Sequence, residues 1–148
     1  MKKGFTLIEM LITMVLVAVL TVVALPKYVA SLERGRAVQA ISVLRDISDT
    51  WNTRYVLRTD SPNTYPDGSA VEWDTIRIKK ELFDTPVLTK VSGQRAEVYI
   101  QRNDGTYGLT AINENGVLSQ IQCTSTVDAS KYCQEMGAVL KNGVYIIE

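Results

Sequence analysis

A nearly unbroken run of apolar residues extends from Phe5 to Leu25, close to the start of the chain. Its polar members are few: Thr6, Glu9, Thr13 and Thr21. A helix over this run would rise about 31 Å at ~1.5 Å per residue, which is the thickness of the hydrocarbon core of a bilayer. Lys2 and Lys3 precede the run, and the positive-inside tendency therefore places the N-terminus in the cytoplasm. The pattern predicts a membrane-spanning helix followed by an exported domain.

Beyond this run, apolar residues recur mostly at spacings of three and four, with charged residues between them. The apolar set is Tyr28, Leu32, Val38, Ile41, Leu44, Ile47, Trp51 and Tyr55. This periodicity predicts that the helix continues, in amphipathic form, to about Arg58. Pro26 cannot donate a hydrogen bond to the Val22 carbonyl, so we expect a kink or local loosening at residues 22–26. Gly35 also lies inside the pattern, where we expect close packing or gentle curvature.

The middle of the chain alternates between strand patterns and turn residues. Residues 96–101 alternate apolar and polar side chains, Asn103-Asp104-Gly105 turns the chain, and residues 107–112 return it. Asn115-Gly116 supplies a second tight turn, and residues 117–122 form a third strand. We therefore expect an antiparallel meander at the centre of the exported domain.

The segment between the long helix and the meander is less regular. Turn formers gather at residues 59–69 and end the helix. Residues 74–80 predict a short strand, although Lys79 to Leu82 could equally be helical. For Tyr65 and Trp73, packing against the domain is favoured, and contact with a second copy of the chain is the alternative.

The C-terminal region contains both cysteines of the chain, Cys123 and Cys133. Two cysteines in an exported domain without other thiols predict a disulfide, which stabilises so short a loop by roughly 2.5–3 kcal/mol if chain entropy is the mechanism. The enclosed residues 124–132 include few large apolar side chains, so the cross-link should supply much of their order. A short helix capped by Thr126 and ending near Met136, then a strand at residues 144–147, should complete the chain.

Two simpler explanations of the N-terminal run were weighed. A cleaved secretory signal could end after Val22-Val23-Ala24, but the run is longer than such signals and contains an acidic residue. An ordinary anchor would have to accommodate Glu9, since a carboxylate near the bilayer core costs about 3 kcal/mol. Cleavage between Gly4 and Phe5 would create an α-amine one helical turn from Glu9, and this amine or that of a neighbour could pair with the carboxylate.

Residues 2–11, Lys-Lys-Gly-Phe-Thr-Leu-Ile-Glu-Met-Leu, closely resemble the start of a type IV prepilin. The resemblance implies that a prepilin peptidase cuts after Gly4 and methylates the new amine of Phe5. It also implies that Glu9 serves subunit assembly, and Pro26 lies where many members of that family have a proline. A C-terminal segment bounded by a disulfide is frequent in type IV pilins, whereas the major pseudopilins of type II secretion usually lack it.

Composition argues against several other classes of function. The chain has 16 Lys+Arg and 16 Asp+Glu, so no basic excess points to nucleic acid. It has no histidine, which excludes a Ser-His-Asp triad and any histidine metal site. No phosphate loop, zinc spacing or nucleophile elbow is present, and we expect neither enzyme activity nor a cofactor. A calcium site among the loop aspartates stays open, although turn chemistry explains each of them: Asp60, Asp67, Asp104 and Asp128.

The expected fold class is α+β, with a long N-terminal helix packed on an antiparallel sheet and a C-terminal disulfide region. The expected segments are a leader at 1–4, a span at 5–25, an amphipathic half-helix at 26–58 and a globular head at 59–148.

The sequence predicts a structural subunit of a type IV pilus-like surface filament. It would be anchored in the inner membrane before assembly and would polymerise into a helical homo-oligomer on the cell surface. Its expected partners are the prepilin peptidase and the pilus assembly machinery. The alternatives are a minor pilin or type II secretion pseudopilin and, from another class, a membrane-tethered periplasmic enzyme.

Overall fold

The computed structural model describes residues 5–60, 63–66 and 81–147. The chain divides into two compact units, Met1–Glu33 and Arg34–Glu148. The described elements are α1 (Leu7–Leu57), β1 (Val87–Ser92), β2 (Arg95–Gln101), β3 (Gly108–Glu114), β4 (Val117–Thr124), α2 (Ala129–Glu135), β5 (Val139–Lys141) and β6 (Val144–Ile147). The possible strand at 74–80 and Trp73 lie outside the described residues.

The part of α1 within the second unit presents one stripe of side chains to the core. The buried members of this stripe are Ala37, Ala40, Ile41, Leu44, Ile47, Ser48, Trp51 and Tyr55. They recur at three and four residues, as an amphipathic helix requires. Val38 was expected in this stripe but is 58% exposed, because the buried face passes through Ala37 and Ala40 instead. Ala37 and Ala40 are both fully buried.

Gly35 corrects one of the two expectations for this position, close packing, while gentle curvature stays a prediction. A Cβ atom built on Gly35 would meet nothing within 4 Å, so close packing does not explain this glycine. Helix α1 is continuous from Leu7 to Leu57, through both Gly35 and Pro26. The loosening expected at residues 22–26 stays a prediction.

The strands form one antiparallel sheet in the order β1-β2-β3-β4-β6-β5. The predicted meander corresponds to β2, β3 and β4, and the fold class expected from the sequence is confirmed. Asn115 and Gly116 have φ angles of 52° and 78°, the left-handed conformation that a two-residue hairpin turn between β3 and β4 needs. The inner face of the sheet supplies the apolar side chains that cover α1, among them Val98, Leu109 and Ala111.

Strands β1 and β5 were not predicted from the sequence. The register of β1 against β2 shifts between Leu88 and Lys90, so its half-buried residues, Leu88 and Val91, are three positions apart instead of two. That irregularity removes the alternation by which a strand is recognised. Strand β5 has three residues, too few for a pattern. Its hairpin with β6 nevertheless contains Asn142-Gly143, a turn signal in the sequence that could have located it.

Tyr65 fastens the described part of the loop after α1 to three other elements. Its hydroxyl donates to Asn52 Oδ1 at 2.9 Å and accepts from the Gly116 amide at 3.1 Å, and its own amide donates to the Gly93 carbonyl at 2.7 Å. Its ring centroid lies 4.7 Å from that of Tyr55. Tyr65 is thus buried within its own head, which favours the packing interpretation over contact with a second copy.

Replacing Tyr65 with Phe should destabilise the head at neutral pH by about 1–3 kcal/mol, because the Asn52 oxygen and the Gly116 amide would lose a buried partner. Burial raises the pKa of Tyr65 above its usual 10.0, and the nearby Tyr55 and Glu114 add to the increase, although the hydrogen bond from Gly116 opposes it. A raised folded-state pKa makes the unfolded state deprotonate first. Stability therefore falls as the pH rises above about 10.

The difference between parent and Tyr65→Phe should accordingly shrink above pH 10. Urea unfolding of the full chain in mild detergent, followed by tryptophan fluorescence, measures it at each pH. Tyr99→Phe is the control for the hydrogen bonds. Burial and the charge of Asp84 raise the pKa of Tyr99 too, so a change above pH 10 is expected for both variants, but the loss of stability at pH 7 should be smaller for Tyr99→Phe. A stability difference that stays constant from pH 7 to above pH 10 would contradict this assignment.

Candidate assembly site and the disulfide region

Thr6 and Glu9 form a reciprocal set of hydrogen bonds at the start of α1. The Thr6 amide donates to Glu9 Oε2 at 2.8 Å, and the Thr6 hydroxyl donates to the same oxygen at 2.6 Å. The Glu9 amide in turn donates to the Thr6 hydroxyl oxygen at 3.4 Å. This is a capping box, in which the residue before the helix and the third helical residue satisfy each other's backbone amides.

The capping box places the carboxylate next to the expected cleavage position. Thr6 directly follows Phe5, so Glu9 is bonded to the residue adjacent to the one whose amine cleavage would release. Phe5 is exposed, as are the large apolar side chains of α1 from Leu7 to Leu25. Gly4 lies outside the described residues. Cleavage, methylation of Phe5 and the assembly role of Glu9 therefore remain predictions.

Thr6 was missed as a functional candidate in the sequence. The signal was present, because Thr6-Leu7-Ile8-Glu9 is the Thr-x-x-Glu pattern of a capping box directly before an apolar run.

The other two hydroxyls of the apolar run are also bonded within the helix. Thr13 donates to the Met10 carbonyl at 2.9 Å, and Thr21 donates to the Val17 carbonyl at 2.8 Å. Internal bonds of this kind lower the cost of placing a hydroxyl in a lipid environment. Among the described residues, α1 is long and apolar enough to cross a membrane. Its most apolar stretch is not buried against the rest of the chain. An exposed apolar surface of this size marks a site of contact with lipid or with other protein surfaces.

The C-terminal region is closed by a disulfide between Cys123 of β4 and Cys133 of α2, with their Cα atoms 5.7 Å apart. The predicted pairing is confirmed. Both residues are buried and belong to the core cluster. Arg34 Nε donates to the Glu135 carbonyl at 2.7 Å, which links α2 to the adjoining part of α1.

The loop inside the disulfide has further anchors that the sequence did not reveal. Ser125 donates to the Thr106 carbonyl at 2.5 Å, and Thr126 donates to the Gly105 carbonyl at 3.1 Å. Thr126 is therefore not the cap of α2, as had been expected. Asp128 is the cap, and its side chain accepts from the Lys131 amide at 3.1 Å.

The loop aspartates have structural partners. Asp60 accepts two hydrogen bonds from Arg58, and Asp128 caps α2. Asp104 accepts from the amide and hydroxyl of Thr106. Burial alone would raise the pKa of Asp104, but these hydrogen bonds and the charge of Arg102 outweigh it and lower the pKa below 3.8. Within the described ranges, no three carboxylates or cysteines gather in a way that could hold a metal ion, and Asp67 lies outside them.

The comparisons with known proteins concern the N-terminal part of the chain. Residues 1–25 match the family described as the prokaryotic N-terminal methylation motif. The chain therefore has the class III leader signal of type IV pilins. No curated protein and no solved structure matches the chain.

The motif and the long apolar helix support a type IV pilin-like prepilin. The motif points to a structural subunit rather than an enzyme, and it implies processing by a prepilin peptidase and assembly into pilus filaments. The leader and the exposed apolar helix together support membrane anchoring before that assembly.

Thr6→Val should loosen the first turn of α1, because it removes the hydroxyl that bonds both the amide and the carboxylate of Glu9. Loss of a helix cap costs about 1 kcal/mol, so first-turn amides should exchange with solvent roughly fivefold faster. Hydrogen exchange of the full chain in detergent micelles measures this. Thr13→Val is the control, since Thr13 bonds a carbonyl within the helix and caps nothing. Equal exchange in both variants would refute the capping role.

Removing the disulfide should cost about 2.5–3 kcal/mol and expose residues 124–132 to protease after Gln122. Because both cysteines are buried, paired Cys→Ala and paired Cys→Ser variants should be compared. Both lack the cross-link, but serine also leaves hydroxyl groups in the core. Urea unfolding and limited proteolysis measure the two effects. If thiol labelling found both cysteines free in the exported protein, or if both variants resisted protease as well as the parent, the cross-link would not order this loop.

Proposed function

We propose that the chain is the structural subunit of a type IV pilus-like surface filament. The observation that carries the proposal is the coincidence of the N-terminal methylation motif with an exposed apolar helix that has one acidic residue, Glu9, within its first turn. In an isolated anchor an uncharged glutamine would cap the helix as well, whereas an assembling subunit has a use for the charge of the carboxylate.

Processing would begin with cleavage between Gly4 and Phe5 and methylation of the Phe5 amine. Before assembly, the helix lies in the inner membrane with its N-terminus in the cytoplasm, and the head is exported. The Glu9 carboxylate accepts two hydrogen bonds from the amide and hydroxyl of Thr6, which are neutral donors and do not cancel a negative charge. The amine of a neighbouring subunit is the cation that pairs with it.

Polymerisation would transfer the apolar side chains from lipid to the interior of the filament. This transfer gains little hydrophobic free energy, because lipid tails are as apolar as the side chains they surround. Pairing of Glu9 therefore fixes the direction and the register of each subunit in the filament, and packing of the apolar side chains provides the contact area. The product is a helical homo-oligomer on the cell surface, and no cofactor takes part.

The second candidate is a minor pilin or a type II secretion pseudopilin, which shares the same leader. The confirmed disulfide between Cys123 and Cys133 favours a pilin over a major pseudopilin, given the usual difference between those two groups. Abundance separates the remaining possibilities. A main subunit dominates sheared surface filaments, whereas a minor pilin is a trace component of them.

The proposal is tested by co-expressing the chain with a prepilin peptidase and pilus assembly machinery. Mass spectrometry of sheared surface material should find an N-terminal peptide that begins at a methylated Phe5, and negative-stain microscopy should show filaments. A mature N-terminus at Leu25 would remove both the span and Glu9 and would overturn the proposal.

Glu9→Leu should leave membrane insertion intact or improved but block or slow assembly, because it removes a costly charge and the partner of the amine. Breaking a buried ion pair costs about 3 kcal/mol or more, or roughly 100-fold in the association constant of subunits. Glu9→Gln is the matched control, since glutamine also completes a capping box but has no charge. Membrane fractionation and filament yield measure the two steps separately. If Glu9→Gln assembled as well as the parent, the charge would be dispensable and the cap alone would matter.

A further inference from the structure

An apolar groove lies at the C-terminal end of α1 in the second compact unit, and we name it the end groove. It is lined by Asp49, Asn52, Thr53, Val56 and Leu57 of α1 and by Gly116, Val117 and Leu118 at the start of β4. Val56 and Leu57 are each 71% exposed, and Val117 is 64% exposed. Three large apolar side chains thus share one solvent-facing site, which marks a surface for interaction.

The described strands leave one edge of the backbone beside the end groove without a partner strand. Strand β4 pairs with β3 along its length, but β6 pairs with it from Ile121 to Cys123. Among the described strands, none pairs with the other edge of residues 117–120. An open strand edge next to an apolar groove is the arrangement that accepts an added strand.

A second exposed patch is formed by β5, and we name it the β5 patch: Val139, Leu140 and Lys141. All three residues are exposed, with Val139 at 51% and Leu140 at 55%. Strand β5 is the last strand of the sheet and pairs with β6 on one side. The β5 patch therefore combines two exposed apolar side chains with an edge that no described strand covers.

The two patches lie towards opposite ends of β4. Leu140 pairs with Tyr145, and Tyr145 pairs with Cys123, so Leu140 is level with Cys123 in the sheet. Cys123 is six residues from Val117, which is about 20 Å along a strand. One subunit cannot bring the patches together within its own rigid sheet, but two successive subunits can.

Resting on the proposed function, we infer that the β5 patch of one subunit docks in the end groove of a neighbouring subunit in the filament. A helical filament is built from heterologous contacts, in which two different patches of the same chain meet. Val139 and Lys141 share one face of β5 and Leu140 lies on the other, so Val139 can face Val56 and Leu57 while Leu140 faces Val117. Asp49 lines the groove and Lys141 follows Leu140, so the charges are opposite. A lysine ammonium has three donors and can serve a carboxylate while it keeps another contact.

Cysteine cross-linking in assembled filaments tests the contact. The two native cysteines are bonded to each other, so introduced cysteines supply the free thiols. A chain with Leu57→Cys and Leu140→Cys should give a ladder of multimers on a non-reducing gel after treatment with a short bismaleimide. Val38→Cys with Leu140→Cys is the control, because Val38 is as exposed but lies far from the groove along α1. Should the double variant fail to assemble, copolymers of the two single variants should give dimers.

Each outcome of the cross-linking experiment supports or overturns the inferred contact. Filaments without a Leu57–Leu140 cross-link would overturn the inference and leave the proposed function standing. Dimers from Leu140→Cys alone would show instead that two β5 strands pair symmetrically, which also overturns it. If the unaltered chain formed no filaments, the proposed function and the inference would both fall.

Charge exchange gives an independent measurement. Asp49→Lys and Lys141→Asp should each lower filament yield by about threefold, the size expected for a surface charge pair, and the two together should restore it. If the double exchange did not restore the filament yield, Asp49 and Lys141 would not pair across the contact.

Discussion

One carboxylate in an apolar helix constrains the N-terminal part of this protein. Glu9 must be satisfied wherever the helix resides, and the capping box with Thr6 meets its hydrogen-bonding needs within one chain. Hydrogen bonds from neutral donors spread the negative charge but do not cancel it, so a cation still lowers the energy of the site. On the proposed function, the capped helix can be stored in a membrane and still favours an assembly that provides an amine. That would be the physical reason for an acidic residue so early in an apolar run.

The head depends on the same helix in another way. The stripe of α1 that begins with Ala37 and Ala40 is covered by the inner face of the sheet, and Tyr65 then joins the end of this stripe to the turns at Gly93 and Gly116. Because these turns lie at one end of the sheet, one buried tyrosine fixes the helix, the loop and both hairpins relative to one another, through its hydroxyl and its backbone amide. Val56 and Leu57, the last two residues of α1, remain exposed.

The sequence predicted whatever depended on local patterns. The apolar run, the helix to about Arg58, the Asn115-Gly116 turn and the pairing of Cys123 with Cys133 all follow from spacing or composition. What it missed depended on tertiary geometry. The irregular register of β1 removes the alternation of buried and exposed side chains by which a strand is recognised. Thr126 bonds the Gly105 carbonyl across the loop, and Asp128 caps α2 in its place. The capping role of Thr6 was visible in the sequence and was overlooked.

Specificity of assembly poses a separate problem, since apolar packing has no direction. A helix with exposed apolar side chains on every face can slide or rotate against its neighbours at little cost, because burial gains free energy in proportion to area and not to position. Directional interactions must then choose one register among many. On the proposed function, the pairing of Glu9 fixes the N-terminal end of each subunit, and a contact between unlike patches of the heads fixes the other. One fixed contact would leave a subunit free to rotate about it, whereas two contacts separated along the chain define one arrangement of neighbouring subunits.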